Sequence, residues 1–124
     1  MSTSQLITRG YPSAADYSTT SYEGYAMKID TAGRAAVQAS AGGEGIGVLV
    51  ANPTLPAAVD EAASVATFGQ TVKVRIGAAV TRGDKLSIDS AGLFITYSSG
   101  VAWGTAETSG TASGQYIYAV LAKS

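Results

Sequence analysis

The sequence contains no cysteine and no histidine. Without cysteine there is no disulfide and no thiolate metal site, and nothing marks a redox compartment. Without histidine the commonest general base and the commonest metal ligand are both missing. Charge is scarce as well: Lys and Arg number 8 and Asp and Glu 9, together 14% of 124 residues, with a net charge of −1. The cations are scattered singly, so no basic stripe exists to neutralise the phosphates of a duplex, and nucleic acid is not an expected partner. Long apolar runs are also lacking. The longest aliphatic run, residues 46–51, is interrupted by Gly47, against the roughly 20 residues that a bilayer-spanning helix requires. No membrane partner is expected, and the opening "MSTSQLITRG" has no apolar core of the signal-peptide kind.

What is abundant is small. Gly occurs 15 times, and Ala, Ser and Thr fill much of the remainder. Small residues around many short apolar runs suit an all-β domain rich in turns. A surface so poor in charge suits a subunit covered by partners better than a freely soluble monomer.

A short phrase is written twice. "KIDTAG" at 28–33 returns as "SIDSAG" at 87–92, a spacing of 59 residues, and the match widens to Gly24 and Gly83. Each copy reads as strand, turn, strand. Met27 and Ile29 alternate with Lys28 and Asp30, as Leu86 and Ile88 alternate with Ser87 and Asp89. The Asp-x-Ala-Gly that follows is turn chemistry, with Gly at the left-handed position of a bulged hairpin. A doubled calcium loop is the competing reading, but each copy offers one carboxylate where calcium takes six to eight oxygens. Beyond the phrase, "GVLV" at 47–50 is matched to "AVLA" at 119–122 as the buried strand that follows each hairpin. Residues 71–76 alternate Val72, Val74 and Ile76 inward against Thr71, Lys73 and Arg75. The expected fold is therefore all-β, a small β-sandwich or barrel built from two pseudo-repeated hairpin-plus-strand units. Its expected core is Met27, Ile29, Val48, Val50, Val72, Val74, Ile76, Leu86, Ile88, Val120 and Leu121. Residues 52–63 are expected as loop, and residues 98–114 as a long loop carrying the only tryptophan, Trp103.

Residues 1–23 have no sustained period and are expected as an extended N-terminal arm, with a single β domain over 24–124. Tyr11, Tyr17 and Tyr22, with Tyr25 just beyond, fall in or beside this arm. Tyrosines combine apolar area with a polar tip, which suits interfaces. Together with Trp103 they are the candidate partner-contact residues; the alternative is a terminus that is frayed or packed locally on the domain. On this reading, deleting residues 1–22 leaves the domain's melting unchanged and weakens binding.

No catalytic, cofactor or metal residue is expected, and the chain is not expected to be an enzyme. Arg82-Gly83-Asp84 spells an attachment tripeptide, but between two strands Gly-Asp is ordinary turn chemistry. Asp60 and Glu61 read as solvated loop charges rather than an acid/base pair. The Gly-dense 42–47 leads into an apolar strand and has no Lys-Ser/Thr, so it is no phosphate cradle. Pro53 disqualifies Asn52 as a glycosylation site.

The stretches "GIGVLV", "EAASVATFGQTVKVRIGAAVTRGDKLSIDSAG" and "GQYIYAVLAKS" resemble small head decoration (cement) proteins of tailed bacteriophages. The resemblance covers roughly 24–124 and rests on a Gly-Val strand, an Ala/Val/Gly stretch, a Gly-Asp turn and an Asp-x-x-Gly turn. Gly24-Tyr25 departs from it where Gly-Asp would be usual. It implies a structural virion protein, made in the host cytoplasm and bound to the outer capsid surface. Its implied partners are the major capsid protein and itself, as a homotrimer. The alternative is a receptor- or glycan-binding β module using Trp103 with Tyr97, Tyr116 and Tyr118. An accessory β-clip domain, similar in "VTRGDKLSID", is a further reading.

Overall fold

The computed structural model describes residues 8–18, 22–51 and 55–122. The chain is all-β, and no helix occurs among these residues. Ten strands follow in order: β1 Thr8–Pro12, β2 Ala26–Ile29, β3 Ala35–Val37, β4 Gly47–Val50, β5 Ala62–Thr67, β6 Thr71–Arg75, β7 Lys85–Ile88, β8 Phe94–Thr96, β9 Gly104–Ala106 and β10 Tyr116–Leu121. They form two five-stranded antiparallel sheets, β1-β5-β4-β2-β3 and β6-β10-β9-β7-β8, which pack as a small β-sandwich.

The two strand orders are the same order shifted by five strands, so the duplication extends over the whole chain. The repeated phrase supplies its most regular part. Asp30 Oδ1 accepts from the amides of Ala32 (2.9 Å) and Arg34 (2.8 Å), and Asp89 Oδ1 accepts from those of Ala91 (2.8 Å) and Leu93 (3.0 Å). Each Asp side chain thus closes its own hairpin, as an Asx turn does. The strand ends correspond too. Ser13 bridges Ala35 in parallel and Ile76 bridges Phe94 in parallel, each joining the two edges of its sheet, so both sheets curl toward barrels.

This correspondence corrects the expected repeat in two places. The counterpart of β4 is β9, not the C-terminal strand, and β10 is the counterpart of β5. β9 lies inside the stretch expected as loop. Gly-Thr-Ala has no large apolar residue to announce a strand, and its neighbours β7 and β10 supply the ladder that defines it. The matched position is Gly47 with Gly104. A Cβ on Gly47 would lie 2.1 Å from the Ala66 carbonyl oxygen, and one on Gly104 2.1 Å from that of Val120. Gly47→Ala is therefore expected to cost on the order of 3 kcal/mol through backbone displacement. Gly33→Ala, where a Cβ meets open space at φ +80, should cost about 1 kcal/mol. Denaturant midpoints of the two variants check the contrast.

A second correction concerns the expected arm. Over Thr8–Pro12 it is β1, paired to β5 from Thr8↔Ala66 to Pro12↔Ala62. The chain then crosses the sheet. Ser13 is fully buried, and its hydroxyl donates to the Ala58 carbonyl at 2.7 Å. The Tyr17 amide donates to the Pro56 carbonyl at 2.9 Å. The described part of residues 1–23 is thus part of the domain. Its sequence "TRGYP" hides this, since Gly and Pro are depleted in strands except at edges.

The core has two parts. Ala26, Val48, Val50 and Ala66 of the first sheet pack with Val72, Val74, Ile76, Leu86, Ile88, Phe94, Trp103, Ile117 and Leu121 of the second unit. On the alternate positions of the first sheet, Met27, Leu49, Ala63 and Val65 pack beneath Tyr17, with Tyr11, Tyr22 and Leu55 at the margin. Of the expected core, Ile29 and Val120 are exposed instead, at 39% and 36%.

Candidate functional site

The site is built from the alternation of β10. Ile117, Ala119 and Leu121 are buried, so Tyr116, Tyr118 and Val120 turn outward, 37%, 52% and 36% exposed. The neighbouring β6 buries Val72 and Val74 and turns Thr71, Lys73 and Arg75 to the same side. The antiparallel register sets Tyr116 opposite Arg75, Tyr118 opposite Lys73 and Val120 opposite Thr71. On the other side of β10, Thr105 of β9 stands opposite Val120. A flat strip of two tyrosines, a valine and two cations results.

Local contacts hold the strip in place. The Lys73 ammonium lies 4.7 Å from the Tyr116 ring centroid, and the Arg75 guanidinium lies 5.6 Å from the same ring and 6.0 Å from that of Tyr25. Such exposed cation–π contacts contribute about 0.5–1 kcal/mol each. Lys73 also pairs with Glu23 at 3.6 Å, and Arg75 Nε donates to the Gly114 carbonyl at 3.2 Å. Further along the sheet, Lys85 lies 4.6 Å from the Tyr97 ring.

A second patch lies on the first unit. Ile29 is 39% and Val59 51% exposed. Ile29 pairs with Ala35 across the hairpin, and the adjacent Arg34 binds Asp60 at 2.9 Å. Asp60, next to Val59, takes a left-handed φ of 68° where its repeat counterpart is Gly114 at 91°. The Glu61 carboxylate accepts from the Ala57 amide at 2.7 Å, as the Gln115 side-chain oxygen accepts from Thr111 at 2.7 Å. Asp60 and Glu61 are loop-shaping charges at the edge of an acidic, partly apolar patch.

The candidate residues read from sequence are placed differently. Trp103 is fully buried, with Nε1 donating to the Gly43 carbonyl at 2.9 Å and its ring against Phe68 and Phe94. Tyr17 is buried too, with its hydroxyl donating to the Ala35 carbonyl at 3.2 Å. Neither presents a contact surface. A lone tryptophan flanked by small residues is a core anchor here because the Gly-rich 42–45 loop lies against it. Tyr22 stacks edge-on against Tyr17 (5.3 Å) and Tyr25 (4.8 Å), and Tyr11 packs against the same cluster. Of these tyrosines, Tyr25 alone reaches the strip, through Arg75. Tyr116 and Tyr118, contacts only in the alternative reading, are exposed here together with Val120, which was expected in the core. The period-2 pattern of "YIYAVL" signals them once Ile117 and Leu121 are set inward.

Burial pushes the Tyr17 phenol above its ordinary pKa. The folded state then holds this proton more tightly than the unfolded chain. Its contribution to stability is full below pH 10 and is lost as pH rises through the folded value. Stability should fall above about pH 10, and Tyr17→Phe should flatten that fall while costing about 1 kcal/mol at neutral pH for the lost hydrogen bond. Denaturant titrations between pH 7 and 11 check both. Among the described residues no group of three or more His, Cys, Asp or Glu is arranged to hold a metal ion. What the strip and patch offer chemically is apolar area edged by charge, the chemistry of adhesion between proteins.

No family model matches the chain. No curated protein matches it either.

Proposed function

We propose that the chain is a structural virion protein that binds the outer surface of an assembled phage capsid and stabilises it. The reading is carried by the exposed strip of Tyr116, Tyr118 and Val120 between Lys73 and Arg75, on a molecule with only 14% charged residues. Its partners on this reading are the major capsid protein and copies of itself. It is made in the host cytoplasm and resides on the capsid exterior. The mechanism is linkage. A subunit that binds only the assembled lattice stabilises that state by about 2.7 kcal/mol per site at a hundredfold excess over Kd. Contacts with more than one capsomer multiply the effect.

A glycan-binding module is the second reading, favoured by the two exposed tyrosines. The Tyr116 ring already carries Lys73 at 4.7 Å, so a stacked sugar would have to displace an ammonium. That leaves Tyr118 as the open ring and favours a protein surface. The test is thermal melting of expanded heads with and without the protein. A saturable rise in the head's melting temperature is expected. Unchanged melting together with saturable hits on a glycan array would replace this reading with the second.

A further inference from the structure

The two units of the chain pack front to back, not face to face. Three pairs of repeat-equivalent positions show it. Gly92 of the second turn is buried, accepts from the Ala26 amide at 2.9 Å, and would place a Cβ 2.6 Å from Val37, whereas its counterpart Gly33 is exposed with nothing within 4 Å. Ile88 is 1% exposed and its carbonyl accepts from the Gly42 amide of the first unit at 3.0 Å, whereas its counterpart Ile29 is 39% exposed. Gly24 lies against β6, its carbonyl accepting from the Arg75 amide at 3.0 Å, whereas its counterpart Gly83 is open. A two-fold relation would have made each pair alike. A heterologous contact instead leaves one copy of each matching surface unused at either end.

The unused surfaces are the two patches already described. On the second unit, the counterparts of the packed Ala26, Val48, Val50 and Ala66 are Lys85, Thr105, Glu107 and Val120; Tyr118, Lys73 and Arg75 lie beside them, at positions whose counterparts Ser64, Gly10 and Pro12 are half-buried or exposed. On the first unit, the counterparts of the packed Ile88 and Gly92 are Ile29 and Gly33, beside Val59. The five exposed large hydrophobic residues among those described, Ile29, Val59, Tyr116, Tyr118 and Val120, all fall on or beside these two surfaces. Their charges are complementary. Lys73, Arg75 and Lys85 edge the second unit's face, with Glu23 and Glu107 among them. Asp30, Asp60 and Glu61 edge the first unit's patch, with Arg34 among them.

We propose that the β7–β9–β10 face of one copy, centred on Thr105 and Val120, docks on the Ile29–Val59 patch of a second copy, continuing between chains the front-to-back contact made within the chain. The assembly is then head to tail, and rotation between copies closes it into a ring. This rests on reading the chain as a protein-assembly module, but its test involves no capsid. In the assembly Val120 is covered by the sister copy and Tyr116 and Tyr118 beside it are left for the capsid, so a failure here leaves capsid binding standing, and a failure of capsid binding leaves this standing.

The experiment is sedimentation velocity of the full chain across a concentration series, with variants. Wild type is expected to form a discrete oligomer. Val120→Asp blocks one surface, and Ile29→Asp or Val59→Asp blocks the other. Val59 lies in a loop, so its variant leaves the strands untouched, and retained melting temperatures confirm folding. Each variant alone should be monomeric where wild type is assembled. An equimolar mixture of Val120→Asp with Val59→Asp should recover a 1:1 dimer and nothing larger, because one intact contact remains between them. A wild type that stays monomeric into the millimolar range would overturn the proposal. So would single variants that still assemble, or a mixture that stays monomeric while wild type associates.

Discussion

Deleting residues 1–22 is expected to unfold the protein. The segment reads from sequence as an arm, yet β1 completes the first sheet through five residue pairs with β5. Removing it exposes the edge of β5 and uncovers Met27, Leu49 and Val65, which pack beneath Tyr17. A buried tyrosine covers on the order of 150–250 Å², and at about 25 cal/mol per Å² that alone is ~4–6 kcal/mol. The whole stability of a domain is about 5–15 kcal/mol. Circular dichroism melts of the truncated and full-length chains decide the matter. A truncated domain that melts cooperatively at the full-length temperature would show that the segment is dispensable and that β1 does not hold the first sheet.

Val74→Asp is expected to prevent folding as well. Val74 is fully buried in the shared core, opposite Ile117 of β10, with Leu86, Phe94 and Trp103 in the same cluster. No cation stands inside that cluster. An unpaired carboxylate there costs several kcal/mol whether it stays charged or is neutralised by a raised pKa. Val120→Asp, on the adjoining strand β10 but 36% exposed, should leave melting within about 1 kcal/mol of wild type. The pair therefore separates inward from outward positions. A soluble, cooperatively melting Val74→Asp variant would contradict the assignment of this face to the core.

Much of this architecture can be read from the residues, for physical reasons. The hairpins at 30–33 and 89–92 are local: one carboxylate, two amides and a glycine within a few residues close each turn, so a short phrase specifies them. β6 and β7 have large apolar residues at strict alternation. β1 and β9 have neither property. Gly-Tyr-Pro and Gly-Thr-Ala become strands because β5, β7 and β10 offer ladders to them, a tertiary effect that no local pattern carries. The same cause misplaced the contact residues. Tyr17 and Trp103 stand among small polar residues in sequence, but each fills a cavity made by distant strands. The direction of packing between the units was also out of reach. Met27 and Leu86 occupy equivalent positions, yet one lies in the core of the first unit under Tyr17 and the other in the shared core.

The outward positions of β5 and β10 differ most in bulk between the two units. β5 presents Ala62, Ser64 and Ala66 where β10 presents Tyr116, Tyr118 and Val120. Of the small side chains, the buried Ala66 lets the first sheet approach the second unit. The larger ones stand on the face left open, where bulk adds contact area to a partner. Co-sedimentation of the protein with expanded heads, unexpanded heads and unassembled major capsid protein from its source tests the account most directly. Saturable binding to expanded heads, lost on Tyr118→Asp at unchanged melting temperature or reduced to the level of single subunits, is the result predicted. Absence of binding to expanded heads, or equal binding to the unassembled capsid protein, would contradict it.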